Sequence, residues 1–265
     1  MKKCFLFLSI FVISCTSTKV IDKALPNQAS IVVDGKLFTA LYQQKSAEYK
    51  ALCLQAYNLA ALRLVQYSNN NGKPQAIITD IDETVLDNSA YAVHQGLVGK
   101  EYDPQSWFEW SVKGIADTVP GAPSFLKFAA SKGVEIFYIT NREEREREST
   151  LKNLAHFDLP NADAAHLITR NGTSSKEIRR QQVSLTHEIV MLIGDNLADF
   201  SSLFDKKSMG DRDANANLSQ KDFGNKFIVI PNPNYGDWEG ALFNYNYKLT
   251  SSQKDSIIKS VLKSY

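Results

Sequence analysis

Carboxylates spaced two apart are the first feature with chemical content. Asp80-Ile81-Asp82-Glu83-Thr84 follows the apolar run Ala76-Ile77-Ile78-Thr79. At a strand end, where the chain starts to turn, Asp80 and Asp82 can face one site and divide the work of nucleophile and general acid or base. A solvated acidic loop would look the same in isolation. Thr140-Asn141-Arg142 closes a second apolar run. A hydroxyl there, beside backbone N–H groups, can hold a phosphate oxygen, and it can equally cap the Glu-rich helix that follows. Lys176, behind Gly172-Thr173-Ser174-Ser175, can offset charge on both a nucleophile and a phosphate, although most lysines are simply exposed. Gly194-Asp195-Asn196-Leu197-Ala198-Asp199-Phe200 adds two acids, Asp195 at a strand end and Asp199 four residues on. Gathered near Asp80 they would repel strongly without a cation, and hard oxygen ligands suit Mg²⁺. As ordinary acids at a helix start they would need none.

The elements that must position these residues are short apolar strands alternating with helices. Expected strands run over Ala76–Asp80, Val134–Thr140, Ile189–Ile193 and Phe227–Ile230. Three of them close on Asp80, Thr140 and Asp195. Helical patterns cover Ser46–Tyr67, with Leu52, Ala56, Leu59, Leu62 and Val65 recurring at three- or four-residue spacing, then Ala122–Ser131, a charged stretch from about Glu143, and the C-terminus from about Ser251. This alternation predicts an α/β fold, a Rossmann-like parallel sheet with helices on both faces. Ligands of such sheets bind beyond the carboxyl ends of the strands, so the chemistry belongs on that edge.

Taken together, the order Asp-x-Asp, Thr, Lys, Gly-Asp-x-x-x-Asp resembles the phosphatase branch of the haloacid dehalogenase superfamily. Ile78-Thr79-Asp80-Ile81-Asp82-Glu83-Thr84-Val85-Leu86-Asp87-Asn88-Ser89-Ala90-Tyr91 and Ile193-Gly194-Asp195-Asn196-Leu197-Ala198-Asp199-Phe200 are similar to the two signatures of class C nonspecific acid phosphatases, the outer-membrane lipoprotein e family. Ser46–Leu52 and Asn232–Glu239 extend the likeness over nearly the whole chain after the leader. The resemblance implies that Asp80 is the nucleophile, forming an aspartyl-phosphate, and that Asp82 protonates the leaving alkoxide and then activates water. It implies Mg²⁺ held by Asp80, Asp195 and the backbone carbonyl of Asp82, with Asp199 in or just outside that shell. It also implies a grip on the phosphoryl oxygens by Thr140 and Lys176, with Asn141 beside them.

Aromatic residues offer the means of choosing a substrate. Trp107 and Trp110 follow the first motif, and Tyr235 and Trp238 follow the last strand, so both segments should overhang the active edge. Trp107 and Tyr235 can stack on a nucleobase or a nicotinamide, or can simply pack in loops. In the family the matching region binds nucleoside monophosphates, which implies a 5′-nucleotidase. His94, His156, His166 and His187 have no metal-ligand spacing and read as surface or packing residues.

The first residues read as an address. Lys2-Lys3, an apolar run to Ile13 and then Ser14-Cys15 resemble a bacterial lipoprotein leader, implying cleavage before Cys15 and lipidation of Cys15. The expected organisation is a leader over 1–14, a lipidated Cys and tether over 15–37, an N-terminal helical segment over 38–72 that forms a small helical subdomain with the C-terminal helix 249–265, and a phosphatase core over 73–248. The expected location is the bacterial envelope, at the outer membrane. No apolar run reaches the ~20 residues of a spanning helix. Composition is ordinary for a globular chain, 43% hydrophobic and 22% charged over 265 residues, and the net charge of +1 gives no sign of a nucleic acid polymer as partner. The expected partners are a small phosphomonoester and, through the lipid, a membrane; a homodimer is compatible with this reading. The main rival is a non-enzymatic envelope lipoprotein that binds a ligand on the same fold.

Overall fold

The computed structural model describes residues 30–68 and 72–265. Cys15 and the leader therefore lie outside the described residues. The chain enters through helices α1 (Ile31–Lys45) and α2 (Ala47–Gln66), parted by Ser46, whose backbone is extended and whose hydroxyl accepts the Tyr49 N–H at 3.0 Å. Strand β1 (Gln75–Thr79) leads to the first motif, and β2 (Leu86–Asp87) follows it at once. Helices α3 (Ser89–Leu97) and α4 (Pro104–Ser111) come next, then β3 (Asp117–Thr118), which pairs antiparallel with β2, and α5 (Ala122–Ser131). The rest alternates as β4 (Glu135–Glu143), α6 (Arg147–His156), β5 (Leu167–Arg170), α7 (Glu177–Thr186) and β6 (Glu188–Gly194). It ends with α8 (Met209–Leu218), β7 (Phe227–Val229), α9 (Asp237–Leu242) and α10 (Ser251–Val261).

Five strands form one parallel sheet in the order β5-β4-β1-β6-β7. The apolar runs are continuous because the sheet is buried on both faces. In β1, Ile77 joins one core cluster with Ile136, Tyr138, Met191 and Ile193, whereas Ala76 and Ile78 join the other with Phe137, Ile139 and Leu192. That alternation is the period of two expected of a pleated strand. Helix α5 lays Ala122, Phe125, Leu126 and Ala129 on the first face, the i, i+3, i+4, i+7 stripe of an amphipathic helix.

Several expectations on the helices need correction. Residues 31–37, expected as part of the tether, are helical: α1 starts at Ile31 and buries Val32 and Val33. Helix α2 occupies the expected span, but its inner stripe is Tyr49, Cys53, Tyr57, Ala60 and Leu64. Leu52, Leu62 and Val65 are 45%, 53% and 67% exposed. This helix is apolar on two faces, and the inward one is chosen by close fit. A Cβ on Gly121, whose φ is +92°, would come 3.0 Å from the Tyr57 ring, so only glycine lets α5 approach α2 here. Tyr57 then donates its hydroxyl to the Thr84 carbonyl at 2.6 Å, which makes α2 a brace for the first motif. Helix α1 packs chiefly on α3 and touches α10, forming a small helical layer beside the sheet. Among the described residues no helix is long and apolar enough to cross a membrane.

Candidate active site

Parallel strands bring their carboxyl ends to one edge, and the four motifs meet there. Asp80 follows β1, and its N–H bonds the Ile193 carbonyl of β6 at 2.9 Å, fixing it beside Asp195. Carboxylate oxygens of Asp80, Asp195 and Asp199 lie within 4.8 Å of one another. Lys176, almost fully buried at the start of α7, hydrogen-bonds Asp80 and reaches Asp199 at 2.7 Å. Thr84 and Asn232 donate to the two oxygens of Asp195 at 3.1 and 2.8 Å. Asp199 also accepts the Asn196 N–H at 3.0 Å, so this acid caps its own turn and faces the cluster at once. Gly194 is required for that fold-back, since a Cβ there would meet the Asp199 carboxylate at 2.4 Å.

The electrostatics show a site short of positive charge. Burial pushes the Asp80 carboxyl up to about 7; Lys176 opposes this, while Asp199 and Asp82 add to it. Asp195 is raised well above the ordinary carboxylate range, by desolvation and then by Asp199 and Asp80. Lys176 reaches two of the three acids, and Asp195 is met by the neutral donors Thr84 and Asn232. Hard oxygens converging this closely fit a divalent cation, whose charge would let all three ionise together.

Asp82 is placed differently from the three acids. The chain turns tightly after Ile81, whose carbonyl accepts N–H groups of both Val85 and Leu86 at 2.8 Å. The side chain of Asp82 accepts Arg142 Nη2 at 2.8 Å, Arg142 Nε at 3.1 Å and Asn88 Nδ2 at 2.9 Å. Its carboxylate is thus no member of the three-acid cluster. Next to it, Glu83 has a left-handed φ of +58° and is 2% exposed. Burial, with the neighbouring Asp82 charge, raises its carboxyl to about 8. Glu83 accepts the Asn88 N–H at 2.8 Å and the Tyr235 hydroxyl.

Thr140 lies in β4, fully buried, with its Oγ1 accepting the Arg142 N–H at 3.0 Å. It does not cap the following helix. Glu143 and Glu146 do that with a reciprocal capping box, which leaves Thr140 to the site. Asn141 is exposed, and its Oδ1 accepts Arg179 Nη2 at 2.7 Å while Arg179 Nη1 holds the Thr140 carbonyl at 2.6 Å. Trp107 donates from Nε1 to the buried Glu146 at 3.1 Å and packs edge-on against Tyr91 at 5.3 Å. Both aromatics are thereby tied to the carboxyl edge of the sheet, Trp107 beside Arg142 (5.8 Å, ring centroid to guanidinium carbon) and Tyr235 through Glu83.

Sequence reasoning passed over Arg142, Glu83, Asn88 and Arg179. The first three sit inside motifs already singled out, so a search for buried polar neighbours of each motif acid would have found them.

Comparison with known proteins agrees with this geometry. The family description "HAD superfamily, subfamily IIIB (Acid phosphatase)" matches residues 12–238. A class C acid phosphatase from Bacillus anthracis is 43% identical with a TM-score of 0.85, over 88% of this chain and 99% of that one. A class C acid phosphatase from the same organism with tungstate bound is 42% identical with a TM-score of 0.82, over 88% and 98%. Vegetative storage protein 2 of Arabidopsis thaliana is 25% identical over 194 residues, 69% of each chain. The strand-end acids with their buried lysine therefore belong to a phosphomonoesterase, and the chain is a member of the acid phosphatases of HAD subfamily IIIB.

Proposed function

We propose that the protein is a Mg²⁺-dependent acid phosphatase acting on nucleoside monophosphates, a 5′-nucleotidase held at the bacterial envelope by lipid on Cys15. The observation that carries the reading is the buried Asp80 at the end of β1, bonded to Lys176 and converging with Asp195 and Asp199. Asp80 attacks phosphorus from one side while the ester oxygen leaves on the other. Asp82, held apart from the acid cluster by Arg142 and Asn88, gives the leaving alkoxide its proton. It then takes a proton from the water that hydrolyses the aspartyl-phosphate. Lys176 offsets charge on Asp80 and on the phosphoryl group, and the Thr140 hydroxyl donates to a phosphoryl oxygen. Mg²⁺ held by Asp80 and Asp195, with Asp199 and the Asp82 backbone carbonyl, would neutralise charge on the transferring group. Asn141, pinned by Arg179, lies beside that grip. A related phosphatase crystallised with tungstate, an oxyanion, supports an anion-binding edge.

Trp107 and Tyr235 supply the base-binding faces. Each is anchored through its polar atom, to Glu146 and Glu83, which leaves ring surface for stacking. The test is hydrolysis of 5′-AMP, glycerol phosphate and p-nitrophenyl phosphate by EDTA-dialysed protein, with and without Mg²⁺. Activity that vanishes on dialysis and returns with Mg²⁺, with 5′-AMP preferred over glycerol phosphate, is expected. Full activity after dialysis would refute the metal reading, and equal use of the two alkyl esters would refute the nucleotidase reading. Replacing Cys15 by Ser should release the protein from the membrane fraction; retention there would refute the anchor.

A further inference from the structure

We infer that Arg142 is the positioning residue of the general acid: its guanidinium fixes the Asp82 carboxylate on the leaving-group side, out of the three-acid cluster. The inference rests on the reading of Asp82 as that acid.

Arg142 is the buried cation nearest Asp82, with a side chain only 1% exposed. A charge so deeply buried is tolerated only if paired and fully hydrogen-bonded. Nε and Nη2 form the fork on Asp82, at 3.1 and 2.8 Å to Oδ1, with Nε also 3.3 Å from Oδ2. Nη1 donates to Thr150 Oγ1 at 3.1 Å, and Thr150 in turn donates to the Glu146 carbonyl at 2.7 Å. The Trp107 ring lies beside the guanidinium, 5.8 Å from its central carbon. With Thr150 and Trp107 as neighbours, the guanidinium plane is fixed, and a planar fork fixes the carboxylate it grips.

The backbone explains why such a hold is needed. Asp82 sits two residues after Asp80 on a turn that also carries Glu83 in a left-handed conformation. A free carboxylate there could rotate toward the cation-seeking cluster of Asp80, Asp195 and Asp199. Proton donation requires a hydrogen-bonding position within a few tenths of an ångström of the departing oxygen, and a misplacement of about 1 Å can cost on the order of 100-fold. In the step concerned, the P–O ester bond breaks, its electron pair passes to the ester oxygen, and that oxygen takes the Asp82 proton. Arg142 touches neither phosphorus nor the ester oxygen. Its influence runs through Asp82.

That route makes a distinguishing signature. p-Nitrophenolate departs without a proton, whereas the alkoxide of glycerol phosphate needs one. The measurement is kcat/KM for both esters, which reports steps through leaving-group departure and not the later hydrolysis of the phosphoenzyme. Loss of the buried positive charge itself lowers both values, so the alkyl-to-aryl ratio isolates proton donation. In Arg142→Gln the ratio should fall roughly 10- to 100-fold. In the Asp82→Asn background, adding Arg142→Gln should leave the ratio where Asp82→Asn put it. An unchanged ratio in Arg142→Gln, or a further fall in the double variant, overturns the inference. If Arg142→Gln does not fold, Arg142→Lys carries the test: it keeps the charge and loses the fork, so the same fall supports positioning and an intact ratio overturns it. Asp82→Asn alone separates the two readings. No bias in that variant sinks the general-acid assignment, whereas bias there without bias in the Arg142 variants sinks only the inference about Arg142.

Discussion

The two ends of the same parallel sheet treat charge in opposite ways. At the carboxyl ends of the strands, Asp80 and Glu83 are pushed up to about 7 and about 8, chiefly by burial, and Asp195 well beyond its ordinary range. At the amino ends, Glu135 opens β4 between His166 and His187, whose Nε2 atoms lie 3.1 and 3.3 Å from it. His166 also bonds Asp163 at 2.8 Å, and both rings pack on Phe137 at 4.9 and 5.0 Å. There the His166 bond holds Glu135 below its ordinary value, and the same imidazole overcomes the cost of burial to hold Asp163 low. One end therefore matches its acids with partners, and the other leaves them in want of positive charge. Folding alone favours the first arrangement. The second persists where binding a cation and a phosphate gains from it.

The largest effects should come from removing single acids at either end. Asp80→Asn should cut kcat by at least about 10³-fold, since it deletes the oxygen proposed to attack phosphorus. Measured by thermal unfolding in EDTA, the same variant should be no less stable than the parent, because it relieves repulsion among Asp80, Asp195 and Asp199. Glu135→Gln should do the reverse, lowering Tm and leaving kcat within about twofold. A marked Tm loss in Asp80→Asn without metal would show that the catalytic acids support the fold, and the contrast between the ends would fail.

The contrast also separates what the sequence made legible from what it hid. Strand-end acids announce themselves, because a run such as Ala76–Thr79 can end on Asp80 only at an edge. The order of Asp80, Thr140, Lys176 and Asp195 then follows from parallel topology, and the site was readable. Partners reached by through-space packing were not. Nothing in the spacing of Arg142 says that it meets Asp82 sixty residues away, nor that His166 and His187 meet at Glu135. Amphipathic period also failed on α2, where Leu52, Leu62 and Val65 make as good a stripe as Tyr49, Cys53 and Tyr57. The choice between faces belongs to Gly121 and to the Tyr57 hydroxyl on Thr84, which are tertiary facts. The short strand β5, at the sheet edge with only Leu167 and Thr169 buried, carried too little apolar signal to be noticed.

A second group of effects is confined to the catalytic edge and concerns the substrate's far end. Trp107→Ala or Tyr235→Ala should lower kcat/KM for 5′-AMP by about 5- to 150-fold, the ~1–3 kcal/mol of one base–aromatic stack. Glycerol phosphate, which has no ring, should lose far less. Parallel losses on both esters would mean that Trp107 and Tyr235 serve only as props for Arg142 and Glu83.

The smallest effect belongs to the amino-terminal end and is a matter of pH. Burial alone would depress the His166 imidazole, but the hydrogen bonds it donates to the Asp163 and Glu135 carboxylates outweigh this and hold it above its ordinary value of about 6.5. A base whose folded-state value is raised binds its proton more tightly in the folded protein. The stability it contributes is therefore complete below about pH 6.5 and is lost as pH rises through the raised value. His187 faces the same Glu135 from the end of α7, its Nε2 3.3 Å from the carboxylate, and Asn161 bonds His166 Nε2 at 3.3 Å. These groups are partly solvated, which limits the pair to about 0.5–1 kcal/mol. In His166→Gln the Tm should fall by roughly 1–4 °C at pH 5, and the deficit should shrink by pH 8.5. The slope is the informative part. A deficit that grows with pH would mean that the neutral ring, packed on Phe137, is what stabilises this end, and the matched acids would then owe their low values to something other than the histidine charge.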